Sequence, residues 1–237
     1  MHDVGVVVLE RATDDPELVR DAYDAVLAPS FSPDELPALP QMMEDFGSST
    51  VVVATRGGTP IATAVTDHAE VGPIALLSYL AVRADERGTG IGSVMMSALD
   101  RVWAGGHAHV VLGEVHDPRC WPADGDEQPE ARLRFYERHG ARLLAVPWVQ
   151  PRLRPEGGRV EGMLLLVLGP TGGPGGTPED VPSTWLRQWI HGYFEVEEDL
   201  DPDRDPTVAA LHERVTATDP VPILPLASWS SLPLLGV

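Results

Sequence analysis

Apolar residues recur along the chain at two spacings, and most of the elements can be read from where one spacing gives way to the other. Val4–Leu9 is a β-branched run that predicts a strand. Asp14-Asp15-Pro16 then supplies a helix start before Glu17–Leu27, where Leu18, Ala22, Ala25 and Val26 keep helical spacing. Ser32-Pro33-Asp34-Glu35 opens a second helical candidate ending near Gly47, interrupted by Pro37 and Pro40. Thr50–Thr55 and Thr59–Val65, joined by Arg56-Gly57-Gly58, read as a β-hairpin, and Ile74–Val82 as a further strand. From Gly90 to Trp103 the spacing returns to three and four, with Ile91, Val94, Met95, Ala98, Leu99 and Val102 on one face, and Gly105-Gly106 closes the helix. Val110–Val115 is the next strand, and Asp117–Pro129 is an irregular loop. A helix from about Glu130 to His139 stops at Gly140, and strands follow at Arg142–Val149 and Val160–Leu168. No internal repeat is visible.

The remainder changes character. Gly169–Pro182 holds nine Gly or Pro in fourteen residues and reads as a linker. Beyond it Trp185, Trp189 and Tyr193 lie four apart, flanked by Leu186 and Ile190, which predicts an amphipathic helix that docks onto something. The expected organisation is therefore a domain over 1–168, a linker over 169–182, and an acidic extension over 183–237. Packing within the chain is the simplest use of the three aromatic residues. A self-interface in a homodimer, or a cover over an acceptor pocket, are the alternatives.

Composition narrows the chemistry. The 237 residues are 43% hydrophobic and 22% charged, ordinary globular usage that excludes collagen-like, coiled-coil and wholly disordered chains. The formal charge is 17 − 36 = −19, and all 17 basic residues are Arg, for there is no Lys. A field of that sign repels nucleic acid and anionic membranes and favours a small cationic substrate. Residues from Thr171 onward carry 11 acidic and 3 basic groups, −8, against −11 for the 170 before them, so the tail is acidic for its length. A single cysteine, Cys120, cannot form an internal disulfide, and Met-His-Asp opens no export signal. The Met163–Leu168 apolar run falls far short of the about 18 residues a membrane span needs. A reducing cytoplasm is the expected compartment.

The most informative segment is Leu80-Ala81-Val82-Arg83-Ala84-Asp85-Glu86-Arg87-Gly88-Thr89-Gly90-Ile91-Gly92, a strand running through a glycine-rich turn into an amphipathic helix. Glycines let successive backbone N–H groups converge, and the helix start adds unpaired donors and a positive dipole end, so the geometry favours an anion. Arg87 adds a formal charge. Close-range donors of this kind outweigh a net charge that is screened beyond about 8–10 Å. The glycine spacing is not that of a dinucleotide fingerprint, and a P-loop cannot exist without Lys. A tight packing turn is the plain alternative.

These residues resemble the GNAT N-acetyltransferase superfamily, whose acyl-CoA signature [Q/R]-x-x-G-x-[G/A] is matched by Arg87-Gly88-Thr89-Gly90-Ile91-Gly92. A second family element, an aromatic-Tyr pair before a Gly-ended helix, is matched by Phe135-Tyr136-Glu137-Arg138-His139-Gly140. The resemblance covers roughly Val4–Leu168. It implies an α/β fold: a mixed, twisted sheet with two splayed central parallel strands, Ile74–Val82 and Val110–Val115, flanked by helices, here with a helical C-terminal extension. It also implies acetyl-CoA as acyl donor, its pantetheine pairing with backbone groups near Leu80 and Val82 in the opening between those strands, and its pyrophosphate held by the amides of Arg87, Gly88, Thr89, Gly90, Ile91 and Gly92.

Acetyl transfer needs a neutral amine and a proton for the departing thiolate. Glu114 interrupts the apolar run Val110-Val111-Leu112-Gly113-Glu114-Val115, and an ionised carboxylate buried there demands a partner or a function. It is the candidate general base, with a structural Glu paired to an arginine as the alternative. Tyr136, through the family's helix, becomes the candidate general acid, with a core tyrosine as its alternative. His107 and His109, with Glu114 and His116, do not make a convincing metal site, and Cys120 has no base fixed beside it. The long Asp117–Pro129 loop and the extension depart from the compact family pattern. Asp124, Asp126 and Glu127, with Asp34, Glu35, Glu44 and Asp45, are candidates for attracting a cationic amine. The expected function is N-acetylation of a small amine. A non-catalytic acyl-CoA sensor or assembly module is the alternative from another class.

Overall fold

A computed structural model of the protein describes all residues except 1–3, 33–34, 46, 48, 69–71, 125–127, 155–156, 170–178 and 235–237. The chain folds as two compact units, one of Met1–His68 with Ala75–Gly106 and one of Ala69–Ile74 with His107–Val237.

In the first unit four strands, β1 (Val4–Leu9), β2 (Thr50–Arg56), β3 (Thr59–His68) and β4 (Ile74–Val82), lie in sequence order and run antiparallel. The predicted hairpin is β2–β3, which turns at Gly57-Gly58. The first helix, α1 (Pro16–Ala22), begins where Asp15 accepts the Leu18 N–H at 3.0 Å, then continues through a wider turn over Tyr23–Leu27. Its apolar face packs with β2 and β3 through Val19, Val26, Leu27, Val51, Val53 and Val65. The second helix, α2, is shorter than the spacing predicts and spans only Leu39–Asp45. A proline disfavours helical geometry in the residue before it. The chain ahead of Pro37 instead forms a turn in which the Glu35 carboxylate accepts the Ser32 N–H at 3.0 Å.

Helix α3 (Ile91–Gly105) buries Met95, Met96, Leu99 and Trp103 on these strands, at up to about 1.5–3 kcal/mol each for a side chain of this kind. Val94, expected on that face, is 39% exposed, and Met96 takes its place. Trp103 Nε1 donates to Thr66 Oγ1 at 3.2 Å, which fixes the helix against β3.

The second unit has its own strands in the order β5 (Val110–His116), β7 (Val160–Val167), β6 (Arg142–Gln150), β9 (Val221–Pro225) and β8 (Asp180–Val181), with each neighbouring pair antiparallel. Its helices are α4 (Pro129–Arg138), α5 (Ser183–Glu198) and α6 (Pro206–Ala217). Met163 to Val167 of β7 are all buried, as befits a central strand covered on both faces.

The residues expected to form a separate extension share this unit with 107–168. Most of the expected linker lies outside the described residues, but Asp180–Val181 at its end form β8. The extension is not purely helical either, because β9 pairs with β6 at Arg142↔Pro225, Leu143↔Leu224 and Leu144↔Ile223. The predicted amphipathic helix is α5, which buries Leu186, Trp189, Ile190 and Phe194. An ion cluster closes its end: Arg159 binds the Glu198 carboxylate twice at 2.8 Å and reaches Asp205 at 2.8 and 3.0 Å. Asp205 also caps α6 through the Thr207 and Val208 amides. Among the described residues no helix is long and apolar enough to cross a membrane.

Candidate active site

The glycine-rich turn sits between β4 and α3 in the first unit. Gly88 and Gly90 have φ of +75° and +92°, the left-handed region that costs an L-residue about 1–2 kcal/mol. The turn is braced from beneath. Glu86 is buried and its carboxylate is gripped by Arg56, with Arg83 at 3.7 Å, while its carbonyl accepts the Thr89 hydroxyl at 2.6 Å. Arg83 is also paired with Asp85 at 2.6 Å.

Above this brace Arg87, Gly88, Thr89 and Gly90 are exposed. The amides of Arg87 and Thr89 bond back within the turn, to the carbonyls of Ala84 at 3.3 Å and Glu86 at 3.4 Å. Those of Gly88, Gly90, Ile91 and Gly92 have no acceptor among the described residues, so four donors stand unpaired at the start of a 15-residue helix.

Leu80 and Val82 lie just ahead of the turn. The Arg83 N–H donates to the Ile61 carbonyl at 2.9 Å, so by the alternation of an antiparallel pair Leu80 and Val82 turn their backbone groups away from β3. The Val82 carbonyl accepts from Arg87 Nε at 3.3 Å, which folds the Arg87 side chain back toward the strand.

Glu114 belongs to the second unit, on β5. Among the described residues its carboxylate bonds no arginine, the partner the structural alternative calls for. It accepts three neutral donors: Trp148 Nε1 at 2.5 Å on Oε1, and Gln150 Nε2 at 2.8 Å and the Tyr193 hydroxyl at 3.0 Å on Oε2. Burial pushes the carboxyl pKa up, and the three hydrogen bonds pull against that rise. Trp148 and Gln150 are alternate residues of β6 whose register against β7 shifts between them. Tyr193 comes from α5. Trp148 and Trp189 stack at 5.2 Å, and Trp189 and Tyr193 at 5.2 Å, which walls the carboxylate with aromatic rings.

Tyr136 is on α4, whose end is closed by the Ala141 N–H on the Tyr136 carbonyl at 3.0 Å. Burial raises its phenol, with Arg132 acting in the opposite direction. Its ring meets Phe135 edge-on at 5.2 Å, and among the described residues its hydroxyl has no hydrogen-bond partner. Tyr136 is not one of the side chains that bond Glu114.

The other candidates have ordinary places. His109 lies edge-on to Trp185, and His116 stacks on Trp121 at 4.2 Å. No group of His, Cys, Asp and Glu among the described residues is arranged to hold a metal ion. Of the acidic residues weighed for the acceptor, Asp34, Asp126 and Glu127 lie outside the described residues, as does the Asp45 side chain. Glu35 is committed to the Ser32 amide, and Glu44 and Asp124 are exposed.

Residues 47–140 match the family model described as an acetyltransferase (GNAT) domain. Over that stretch the chain is similar to the GNAT acetyltransferases. That stretch runs from β2 to the end of α4 and contains the glycine turn, Glu114 and Tyr136. Among solved structures the chain is similar to a GNAT-family protein from Bacteroides thetaiotaomicron, at 20% identity over 69% of this chain and 86% of that one, with a TM-score of 0.54. It is also similar to a tandem GNAT protein from the clavulanic acid biosynthesis pathway, at 18% identity over 62% of this chain and 46% of that one, TM-score 0.50. A third is the ribosomal-protein-S18-alanine N-acetyltransferase from Escherichia coli, at 18% identity over 70% and 93%, TM-score 0.48. No curated protein sequence matches the chain. The fold is thus the α/β fold seen in GNAT-family structures.

Three partners of Glu114 were not legible as such. Trp148 and Gln150 carry only a faint signal, two hydrogen-bond donors two apart on a strand. Tyr193 showed only its helical spacing.

Proposed function

We propose that the GNAT domain moves an acetyl group from acetyl-CoA to the primary amine of a small cationic acceptor by direct attack. The observation that carries this reading is the state of Glu114. A carboxylate has about four acceptor positions, and here Oε2 has two donors while Oε1 has one, so Oε1 keeps a position for a proton. No arginine neutralises it. A partly buried anion surrounded by neutral donors attracts an ammonium group and, with its pKa raised, is the stronger base for it.

The amides of Gly88, Gly90, Ile91 and Gly92 at the helix start, with Arg87, suit the pyrophosphate of the donor substrate, and the edge of β4 at Leu80 and Val82 suits its pantetheine amides. In the reaction Glu114 accepts a proton from the acceptor ammonium, directly or through water. The freed nitrogen bonds to the thioester carbon, and the carbon–sulfur bond breaks. Tyr136 delivers a proton to the departing sulfur, and the second proton that the nitrogen sheds as the amide forms restores the Tyr136 phenol, directly or through water. Its raised pKa keeps the phenol protonated at neutral pH, the form that donation requires.

The net charge of −19 supports a cationic rather than an anionic acceptor. Thiol release from acetyl-CoA against a broad panel of amines, with propionyl- and malonyl-CoA in parallel, tests donor and acceptor together. Turnover greatest on cationic amines is expected. Tight acyl-CoA binding with no amine acetylated would overturn the reading in favour of a binding module.

A further inference from the structure

The stretch that matches the GNAT family model ends at 140, and all three donors to Glu114 lie beyond it, Tyr193 the farthest, on α5. We propose that Tyr193 is a positioning residue: with Gln150 it saturates Oε2 of Glu114, and so fixes the carboxylate with Oε1 as the oxygen that takes the acceptor's proton. This rests on the reading of Glu114 as the base.

The geometry supports it in three ways. The donors come from two elements, Trp148 and Gln150 on β6 and Tyr193 on α5, and a carboxylate held from both β6 and α5 is fixed in rotation as well as position. Without Tyr193, Oε1 and Oε2 would carry one donor each and would be nearly equivalent as bases. The Tyr193 ring is itself held by stacking: its plane lies 3° from that of Trp148 at 6.4 Å and 26° from that of Trp189 at 5.2 Å, and it meets Phe194 edge-on at 6.4 Å. A ring locked between neighbours delivers its hydroxyl to one place with little entropy left to lose. Lastly, Trp148 and Trp189 are only 1% and 6% exposed, so α5 is docked on β6 as part of the unit's core.

The surroundings keep the pH response simple. On β5 the next residue of the same face is His116, whose ring is stacked on Trp121. Across β7 the partner of Glu114 is Leu165. β6 presents Trp148 and Gln150, and α5 presents Trp189 and Tyr193. None of the side chains bonded to Glu114 carries a charge.

The test is Tyr193→Phe, which removes one oxygen and leaves the stacked ring, compared with Glu114→Gln and with the double variant in the full chain. A hydroxyl that donates to the ionised carboxylate favours that form, so its loss raises the pKa of the base. The acidic limb of the pH–rate profile is expected to move to higher pH in Tyr193→Phe, with kcat lowered about ten- to a hundredfold, as loss of one hydrogen bond to a charged group predicts, and KM for acetyl-CoA unchanged. In the double variant no loss beyond that of Glu114→Gln is expected. An unmoved acidic limb, or losses that simply multiply, would overturn the role of Tyr193 while leaving Glu114 as the base. Glu114→Gln at full rate would overturn the base itself, and the role of Tyr193 with it.

Discussion

The second unit holds its buried and half-buried carboxylates in two different ways. Glu198 and Asp205 are bound by the Arg159 guanidinium, with Arg152 beside Glu198 and Phe194 under Arg159 at 5.0 Å, so their charge is cancelled where they sit. Glu114 is bound only by an indole, an amide and a phenol, so its charge is steadied but not cancelled. A guanidinium consumes a carboxylate's capacity to act on anything else. Neutral donors leave it acidic or basic enough to react. The first arrangement fastens α5 and α6 to the start of β7, and the second is the one we propose as a proton acceptor.

The sharpest way to break this contrast is Glu114→Gln. A general base contributes about 10²–10⁴ in rate, and a loss of that order in amine transfer is expected, with coenzyme A binding intact by calorimetry. Arg159→Met should do the reverse. It strands Glu198, whose side chain is 3% exposed, and is expected to cost about 3 kcal/mol in urea unfolding, with little change in the rate of the folded enzyme. An unchanged urea midpoint would refute the fastening role.

Gly90→Ala probes the other half of the chemistry. It places a side chain at φ +92° where open space would admit its Cβ, so the penalty lies in the backbone alone, and about a tenfold weaker affinity for coenzyme A is expected. The smallest effect distinguishes the two kinds of carboxylate by pH. Arg159 holds Asp205 below the ordinary carboxylate range, so its stabilisation is complete above that range and is lost as pH falls through its lowered pKa. Glu114, pushed the other way by burial, costs stability once ionised and relieves that cost on acidification. Between neutral pH and pH 4, Glu114→Gln should therefore lose stability relative to the native chain, read as the difference between their unfolding curves.

How much of this was legible depends on the range over which the information lies. The β4–turn–α3 segment was readable because everything it needs is contiguous: a strand, two glycines at left-handed φ, and a helix start. Strands Val4–Leu9 and Ile74–Val82 were legible to the residue for the same reason, since β-branched runs report their own geometry. Glu114 stood out as a charge in an apolar run. Its partners did not, because Gln150 is brought to it by a register shift in β6, and Tyr193 by the docking of a helix beyond a Gly/Pro-rich stretch. The α2 boundary failed where Pro37 favoured a turn, while Pro40 falls in the first turn of the helix, where a proline is tolerated. The strands β8 and β9 were missed because the two-residue β8 and the proline-containing β9 have too little alternation to register as strands; β9 is defined by pairing with β6, and β8 by pairing with β9.

That pairing sets an order of events during synthesis. β6 is complete at Gln150, but its partner β9 begins only at Val221, so a chain emerging from the ribosome carries an open hydrogen-bonding edge until the last strand has been made. The rings that close over Glu114 arrive on α5 in the same interval. The nascent protein thus acquires its glycine turn early and its enclosed carboxylate late, and a chain stalled between the two would carry the turn proposed to hold the donor without the full set of donors around Glu114.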